Sequence, residues 1–270
     1  MQPKLKIVAD LYMPFVREAF ETLGEVLALD GRNIAAEHVR DADILVTRST
    51  TKVNASLLEG SRVRFYGSGV IGTDHIDIPW LERPRIAWQS APGCNAASVA
   101  QYLTCALLWL AGRRNLTLEG KTLGVVGVGH VGLKVVEKGH ALGMRVLCCD
   151  PPRRRDPRDA QARDFVDLNS LLEASDVVTL HVPLTREGED ATWHMLSETR
   201  LARLKPGAIL VNAARGPVLD QDAWLRSREK GIPAHTILDT WEPEPAYRTD
   251  VRANVDLGTP HIAGHSFEGK

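Results

Sequence analysis

Two observations predict an α/β protein built on parallel sheets. Short apolar runs alternate with helix-period segments along most of the chain, the pattern of strands joined by helical crossovers. Residues 121–132 then compress the unit into one stretch: an apolar run, a G-x-G-x-x-G turn through Gly127, Gly129 and Gly132, and the start of a helix. Together these predict two Rossmann-like, doubly wound parallel-sheet domains with a cleft between them. At 270 residues the chain is long enough for two modest cores.

The elements follow in order. Residues 5–9 are a short apolar strand, and Pro14 suits the first turn of a helix carrying Phe15, Ala19, Phe20 and Leu23 at helical spacing. Gly24 is expected to stop that helix. Strands are expected at 26–29, 43–47, 63–66 and 86–88, with a short helix at 55–58. A long helix runs from about 96 to 112, with Val99, Leu103, Ala106, Leu107 and Leu110 on one stripe. It leads into the glycine motif and reads as a hinge between domains. The resulting division is a substrate-binding domain over 1–95, the hinge helix over 96–112, a dinucleotide-binding domain over 113–262, and the start of a return segment over 263–270.

Within the second domain the motif opens with strand 123–126 and enters a helix over 131–142. Strand 145–150 follows and ends in Asp150, 18 residues after Gly132, near the spacing expected of the carboxylate that binds adenosine ribose hydroxyls. Each glycine has a physical reason to be there. Gly127 allows the tight turn, Gly129 allows close approach to a pyrophosphate, and Gly132 allows helix-on-strand packing. The helix N-terminus, with His130 and Val131 in its first turn, offers unpaired N–H groups and positive dipole to phosphates. Beyond Asp150 a proline-rich loop holds Arg153, Arg154, Arg155 and Arg158; it is either solvated or close to the adenine side of a cofactor. Further helices are expected at 168–174, 200–204 and 220–230, and strands at 176–183, 208–213 and 235–239, with residues 255–258 leading into 259–264.

Bulk numbers exclude several function classes. A net charge of −1 gives no electrostatic footprint for nucleic acid or a membrane surface. The four cysteines show no metal-ligand spacing, so no metal is expected, and their apolar neighbours predict buried thiols in a reducing, cytoplasmic compartment. The N-terminus has no signal-peptide hydrophobic region, and the most apolar helix is too short to span a bilayer, which needs about 20 residues.

Ligands of parallel sheets bind beyond the carboxyl ends of strands. In the first third two loops lie there. Arg48, Ser49, Thr51 and Lys52 either hold an anionic substrate or form a polar turn, and Gly67, Gly69 and Gly72 either present N–H groups to a carboxylate or simply turn the chain. In the last third Arg215, Glu244 and His261 each follow a strand end. Oxidation of an alcohol carbon by hydride transfer needs a base for the hydroxyl proton, which a histidine supplies near neutral pH. A carboxylate fixes its tautomer, and a guanidinium binds a carboxylate substrate. His75 and His181 compete for the same role, and spacing does not choose among them.

The chain resembles the D-isomer-specific 2-hydroxyacid dehydrogenases over nearly its whole length. The resemblance rests on Gly124-Val-Val-Gly-Val-Gly-His-Val-Gly132, His181-Val-Pro-Leu184, Leu204-Lys-Pro-Gly-Ala208, Val211-Asn-Ala-Ala-Arg-Gly216, Leu238-Asp-Thr-Trp-Glu-Pro-Glu-Pro245 and Thr259-Pro-His-Ile-Ala-Gly264. Arg48-Ser49, Ser90-Ala-Pro-Gly-Cys-Asn95, Cys149-Asp-Pro-Pro152 and the run from His261 to Lys270 point to a branch acting on a small phosphorylated 2-hydroxy acid, 4-phospho-D-erythronate, for pyridoxal phosphate biosynthesis. The resemblance implies NAD as cofactor, His261 as proton donor and acceptor, Glu244 as its orienting partner and Arg215 as the grip on the substrate carboxylate. It places Asp150, Val182, Asp239 and Gly264 beside the cofactor, and Ser49, Val70 and His265 near the substrate. Asp10-Leu11-Tyr12 stands where the family usually has Asp-Glu-Asn; Val70 and Val182 stand where threonine is usual, and His265 where tyrosine is usual. Those departures are expected to alter affinity or substrate choice. The family's homodimer uses a C-terminal domain that would lie beyond Lys270, so this stretch alone is not expected to build it. The rivals are other 2-hydroxyacid dehydrogenases, acting on glyoxylate, hydroxypyruvate or phosphoglycerate, and a non-catalytic protein that senses NAD.

Overall fold

The computed structural model describes residues 4–83, 85–159, 161 and 164–267. The outermost residues of the expected first domain and return segment, 1–3 and 268–270, lie outside the described residues. The chain divides into two compact units between Cys94 and Asn95.

The first unit is a five-stranded parallel sheet in the order β2-β1-β3-β4-β5. Its strands are β1 (Leu5–Asp10), β2 (Gly24–Leu29), β3 (Ile44–Thr47), β4 (Phe65–Ser68) and β5 (Ala87–Gln89). Its helices are short: α1 (Val16–Phe20), α2 (Ala36–Val39), α3 (Ala55–Leu58) and α4 (Ile78–Glu82). Apolar side chains fill both faces of the sheet. Val8, Leu45, Tyr66 and Leu81 pack on one side, and Ile7, Ala9, Val16 and Val46 on the other.

The second unit opens with α5 (Ala96–Arg114), whose Leu103, Leu107 and Leu110 pack on Leu123, Val125 and Val135. Its six-stranded sheet runs β11-β10-β9-β8-β6-β7, with every pairing parallel. The strands are β6 (Thr122–Val126), β7 (Arg145–Cys149), β8 (Val177–Leu180), β9 (Ile209–Asn212), β10 (His235–Leu238) and β11 (Leu257–Gly258). The helices are α6 (His130–Ala141), α7 (Pro151–Arg155), α8 (Leu168–Ala174), α9 (Glu198–Leu201), α10 (Gln221–Glu229) and α11 (Thr249–Ala253). Strands β6, β8 and β9 are buried at every residue, as apolar runs covered on both faces must be. The strand order reverses between β6 and β8, which puts a crevice at their carboxyl ends.

Four local readings are corrected. The stretch after Asp150 is a helix, α7, rather than a loop: Pro151 and Pro152 occupy its first turn, and Asp150 caps it by accepting from the Arg153 N–H. Helix α1 ends at Phe20, and Gly24 instead begins β2, where a Cβ would meet the Leu5 carbonyl oxygen at 2.0 Å. Helix α9 spans Glu198–Leu201, earlier than 200–204, because Ser197 supplies its N-cap position. Two of the four thiols, Cys94 and Cys105, are exposed; Cys105 lies off the buried stripe of α5. Among the described residues no helix is long and apolar enough to cross a membrane.

Candidate active site

The glycine turn at the end of β6 is held by close backbone contacts. Gly127 has φ 86°, and a Cβ there would meet the His181 carbonyl oxygen at 2.6 Å and Val182 at 2.8 Å. A Cβ on Gly132 would meet the Gly127 carbonyl oxygen at 2.1 Å, so the helix packs flush on the turn. Gly129 differs: it is the N-cap of α6, and among the described residues no side chain caps that helix end and a Cβ at Gly129 would meet nothing within 4 Å. An uncapped twelve-residue helix facing open space past a bare glycine fits a pyrophosphate, with His130 and Val131 in its first turn.

Asp150 stands at the end of β7, and its Oδ2 accepts from the Val128 N–H at 2.8 Å. The carboxylate expected to hold ribose is thereby fixed to the phosphate loop. The neighbouring arginines are tied to local acids: Arg153 to Asp159, Arg155 to Asp190 and Arg158 to Asp156. Arg153 also donates to the Val128 carbonyl at 2.7 Å and lies over the Phe165 ring.

Beyond β9 the turn is shaped by buried Asn212, which accepts from the Ala214 N–H and donates to the Arg215 carbonyl. The Arg215 guanidinium donates to the Ala214 carbonyl at 2.8 Å, and its charge is felt by both Glu244 and His261. Beyond β10, Asp239 is buried, with both oxygens directed at the segment after β11. Oδ1 accepts from the Ile262 N–H at 2.8 Å and the Thr259 hydroxyl at 2.6 Å, and Oδ2 from the Ala263 N–H at 2.9 Å. The His261 N–H donates to the Asp239 carbonyl at 2.7 Å. The imidazole is thus carried on a segment anchored to one buried carboxylate, and His261 is held there at φ 55°. Tyr102 of α5 adds a hydrogen bond to the Thr259 hydroxyl, and burial pushes its phenol up to about 12.

His261 Nδ1 lies 2.8 Å from Glu244 Oε2, while Glu244 Oε1 accepts from the Trp241 N–H at 2.8 Å. The hydrogen bond to Glu244 holds the imidazole above the ordinary histidine range, against an opposing effect of burial. Burial raises the Glu244 carboxyl, but its bond to His261, the imidazolium charge and the Trp241 N–H outweigh that and leave it below the usual carboxylate range. With Nδ1 committed to Glu244, Nε2 is the ring nitrogen left for a proton donor or acceptor. Arg215, Glu244 and His261 are therefore brought together by three consecutive strand ends.

The competing histidines stand elsewhere. His181 bonds Thr179 through Nε2, its Nδ1 has no partner among the described residues, and burial pushes it down to about 4, so it stays neutral. His75 belongs to the first unit, bonded to Tyr66. Gly264 packs on the α5 N-cap, where a Cβ would meet Asn95 at 2.3 Å, and His265 next to it is exposed. In the first unit Ser49 is exposed and Val70 half-buried, both just past strand carboxyl ends. Arg48 is committed to buried Asp10 at 2.9 Å. Sequence reading missed Asn212 and the pair His194–Glu242, at 2.9 Å. Asn212 follows the last apolar residue of its strand, a readable position; 48 residues separate His194 from Glu242, and no local pattern links them. Among the described residues no cluster of His, Cys, Asp and Glu could hold a metal.

Residues 105–263 match the family model described as D-isomer specific 2-hydroxyacid dehydrogenase, NAD binding domain. The chain is 46% identical over 266 residues to erythronate-4-phosphate dehydrogenase of Klebsiella pneumoniae, covering 98% of this chain and 70% of that protein. It is 47% identical over the same span to the enzyme of that name from Cronobacter sakazakii, with the same coverage. Among solved structures it is similar to D-lactate dehydrogenase from Aquifex aeolicus complexed with NAD and lactic acid, with TM-score 0.78, 26% identity, and coverage of 98% of this chain and 90% of that one. An NAD-bound 3-phosphoglycerate dehydrogenase from Entamoeba histolytica matches with TM-score 0.80 and 25% identity, again covering 98% and 90%.

Proposed function

The chain belongs to the D-isomer-specific 2-hydroxyacid dehydrogenase family, and from that premise we propose that it oxidises 4-phospho-D-erythronate at C2 to the 2-oxo acid, as a step of pyridoxal phosphate biosynthesis. One observation carries the proposal: His261, Glu244 and Arg215 gather on the sheet edge that also bears the uncapped dinucleotide turn. NAD, when bound, accepts the hydride from C2. The groups that would hold it are the first-turn N–H groups of α6, with Gly129 leaving room for the pyrophosphate, and Asp150 for the adenosine ribose. A carboxylate at Asp150 repels a 2′-phosphate and so selects NAD over NADP.

The protein groups divide the remaining work. Arg215 grips the substrate carboxylate and polarises the forming carbonyl. His261 Nε2 takes the C2 hydroxyl proton. Glu244 keeps the ring in the tautomer that leaves Nε2 free and stabilises the imidazolium once it forms. Asp239 braces the His261 segment, and Val182 and Gly264 line the cofactor side. His265 in the second unit, with Ser49 and Val70 in the first, are assigned to the substrate. Thiols at Cys105, Cys148 and Cys149 that form no disulfide fit a reducing, cytoplasmic setting.

The test is steady-state NADH formation from 4-phospho-D-erythronate, D-lactate, D-glycerate and 3-phospho-D-glycerate. The proposal expects kcat/KM for the phosphorylated four-carbon acid to exceed the others by about 100-fold or more, the discrimination a site built for one polar substrate reaches. Equal turnover of an unphosphorylated acid would overturn the substrate assignment.

A further inference from the structure

A second histidine–carboxylate pair lies in the same unit as His261 and Glu244. His194 Nε2 and Glu242 Oε2 are 2.9 Å apart, both side chains half-buried. His194 has φ 49°, in the left-handed region that a non-glycine residue keeps only when its surroundings impose it. His261 shares that conformation.

His194 spans two loops. Its N–H donates to the Pro217 carbonyl at 2.7 Å, two residues past Arg215, and the Leu196 N–H donates to Val218 at 3.1 Å. Its ring reaches Glu242, two residues before Glu244. The loops also meet directly: a Cβ on Gly216 would lie 1.9 Å from the Trp241 carbonyl oxygen. With its amide nitrogen toward the Glu242 carbonyl at 3.0 Å and its oxygen toward the Glu242 N–H at 2.9 Å, Gln221 fixes the same peptide. Trp193 stacks on the His194 ring at 4.0 Å, and Arg186 lies over Trp193.

We infer that His194 is a positioning residue: paired with Glu242, it locks the loop bearing Glu244, and through it the His261 ring, against the loop bearing Arg215. That sets the distance between the guanidinium that grips the carboxylate and the imidazole that takes the proton. Residues 243–246 are exposed, so the tethers at Trp241 and Glu242 set where Glu244 sits. The inference rests on the roles proposed above for Arg215, Glu244 and His261. The charged groups facing His194 are Glu242 and, across Trp193, Arg186; those facing His261 are Glu244, Asp239 and Arg215.

The test compares wild type with His194→Ala, Glu242→Ala, Glu242→Gln and the double alanine variant. Two readouts are taken: histidine-labelled NMR titration of His261, and steady-state kinetics with NAD affinity measured separately. Loosening Glu244 removes what holds the His261 ring above its ordinary range, so the His261 midpoint falls in both alanine variants. In the same variants kcat falls by about tenfold or more, because a slightly displaced base is a poor one, while the NAD Kd stays within about twofold. Glu242→Gln keeps an acceptor for the ring and retains most activity. The double variant is no worse than either single, the signature of a coupled pair. An unmoved His261 midpoint, or single losses that add in the double variant, would overturn the inference. If His194→Ala does not fold, the Glu242 variants give the same readouts. If wild type does not turn over 4-phospho-D-erythronate, the substrate reading fails, and the NMR titration still decides the positioning claim.

Discussion

Asp239→Asn is the perturbation whose effect follows most directly from geometry. The carboxylate accepts three hydrogen bonds from the segment after β11: two at Oδ1, from Ile262 N–H and Thr259 hydroxyl, and one at Oδ2, from Ala263 N–H. Asparagine keeps an acceptor at one position only. With its oxygen toward Ile262 and Thr259, its NH2 faces the Ala263 N–H, and that buried donor is orphaned. The opposite orientation orphans two donors. A hydrogen bond to a charged group contributes about 1.5–3 kcal/mol, and an unsatisfied buried donor costs a similar amount, so the loss is about 3 kcal/mol. For a unit of this size that corresponds to a fall in Tm of roughly 6–12 °C in its calorimetric transition. The same change moves the segment that carries His261, and a displacement of about 1 Å costs about 100-fold in kcat. Calorimetry and saturating-substrate kinetics on one preparation read both effects. An unchanged transition together with a kcat within about twofold of wild type would refute the view that Asp239 anchors the catalytic segment.

Three further outcomes follow from the same geometry. Gly129→Ala adds a Cβ that meets no protein atom within 4 Å, so melting should stay within about 1 °C while the NAD Kd, read by calorimetric titration, rises about tenfold or more if a phosphate sits there. Gly132→Ala drives a Cβ to 2.1 Å from the Gly127 carbonyl oxygen and should cost about 1–3 kcal/mol in denaturant unfolding. Glu244→Gln removes the main cause that holds His261 above its ordinary range, and oxidation requires the neutral ring, so the acid limb of kcat/KM should move to lower pH. The stability gained from this pair needs Glu244 ionised and His261 protonated. It is present below the unfolded histidine value of 6.5 and is lost as pH rises through the higher folded value. It is present above the unfolded carboxyl value of 4.5 and is lost as pH falls through the lower folded value, so wild type should exceed Glu244→Gln most between pH 4.5 and 6.5.

What could be read ahead of the structure was what is encoded locally. The apolar runs of β6, β8 and β9 and the glycine turn into α6 depend on neighbours a few residues apart, and all form where the pattern places them. The stretch after Asp150 misled because a run of two prolines and three arginines has the composition of a loop. The overlooked signal was an N-cap aspartate followed by proline at the first helical position. Cys105 was misplaced although the helical stripe that leaves it outside was already visible. The gathering of Arg215, Glu244 and His261 depends on parallel strands aligning their carboxyl ends, so fold class implied a shared edge but no distances. The Asp239 anchor was beyond reach for a different reason: its partners are mainly backbone N–H groups, which every residue but proline offers.

In the mechanism proposed above, the imidazole of His261 moves the proton when 4-phospho-D-erythronate is oxidised. Steady-state NADH formation by His261→Asn, beside NAD titration of the same protein, tests it most directly. The expected result is a kcat about 1,000-fold below wild type with an NAD Kd that does not change, since removing a general base at a folded site leaves binding intact. Turnover of the phosphorylated acid by His261→Asn at close to the wild-type rate would contradict it.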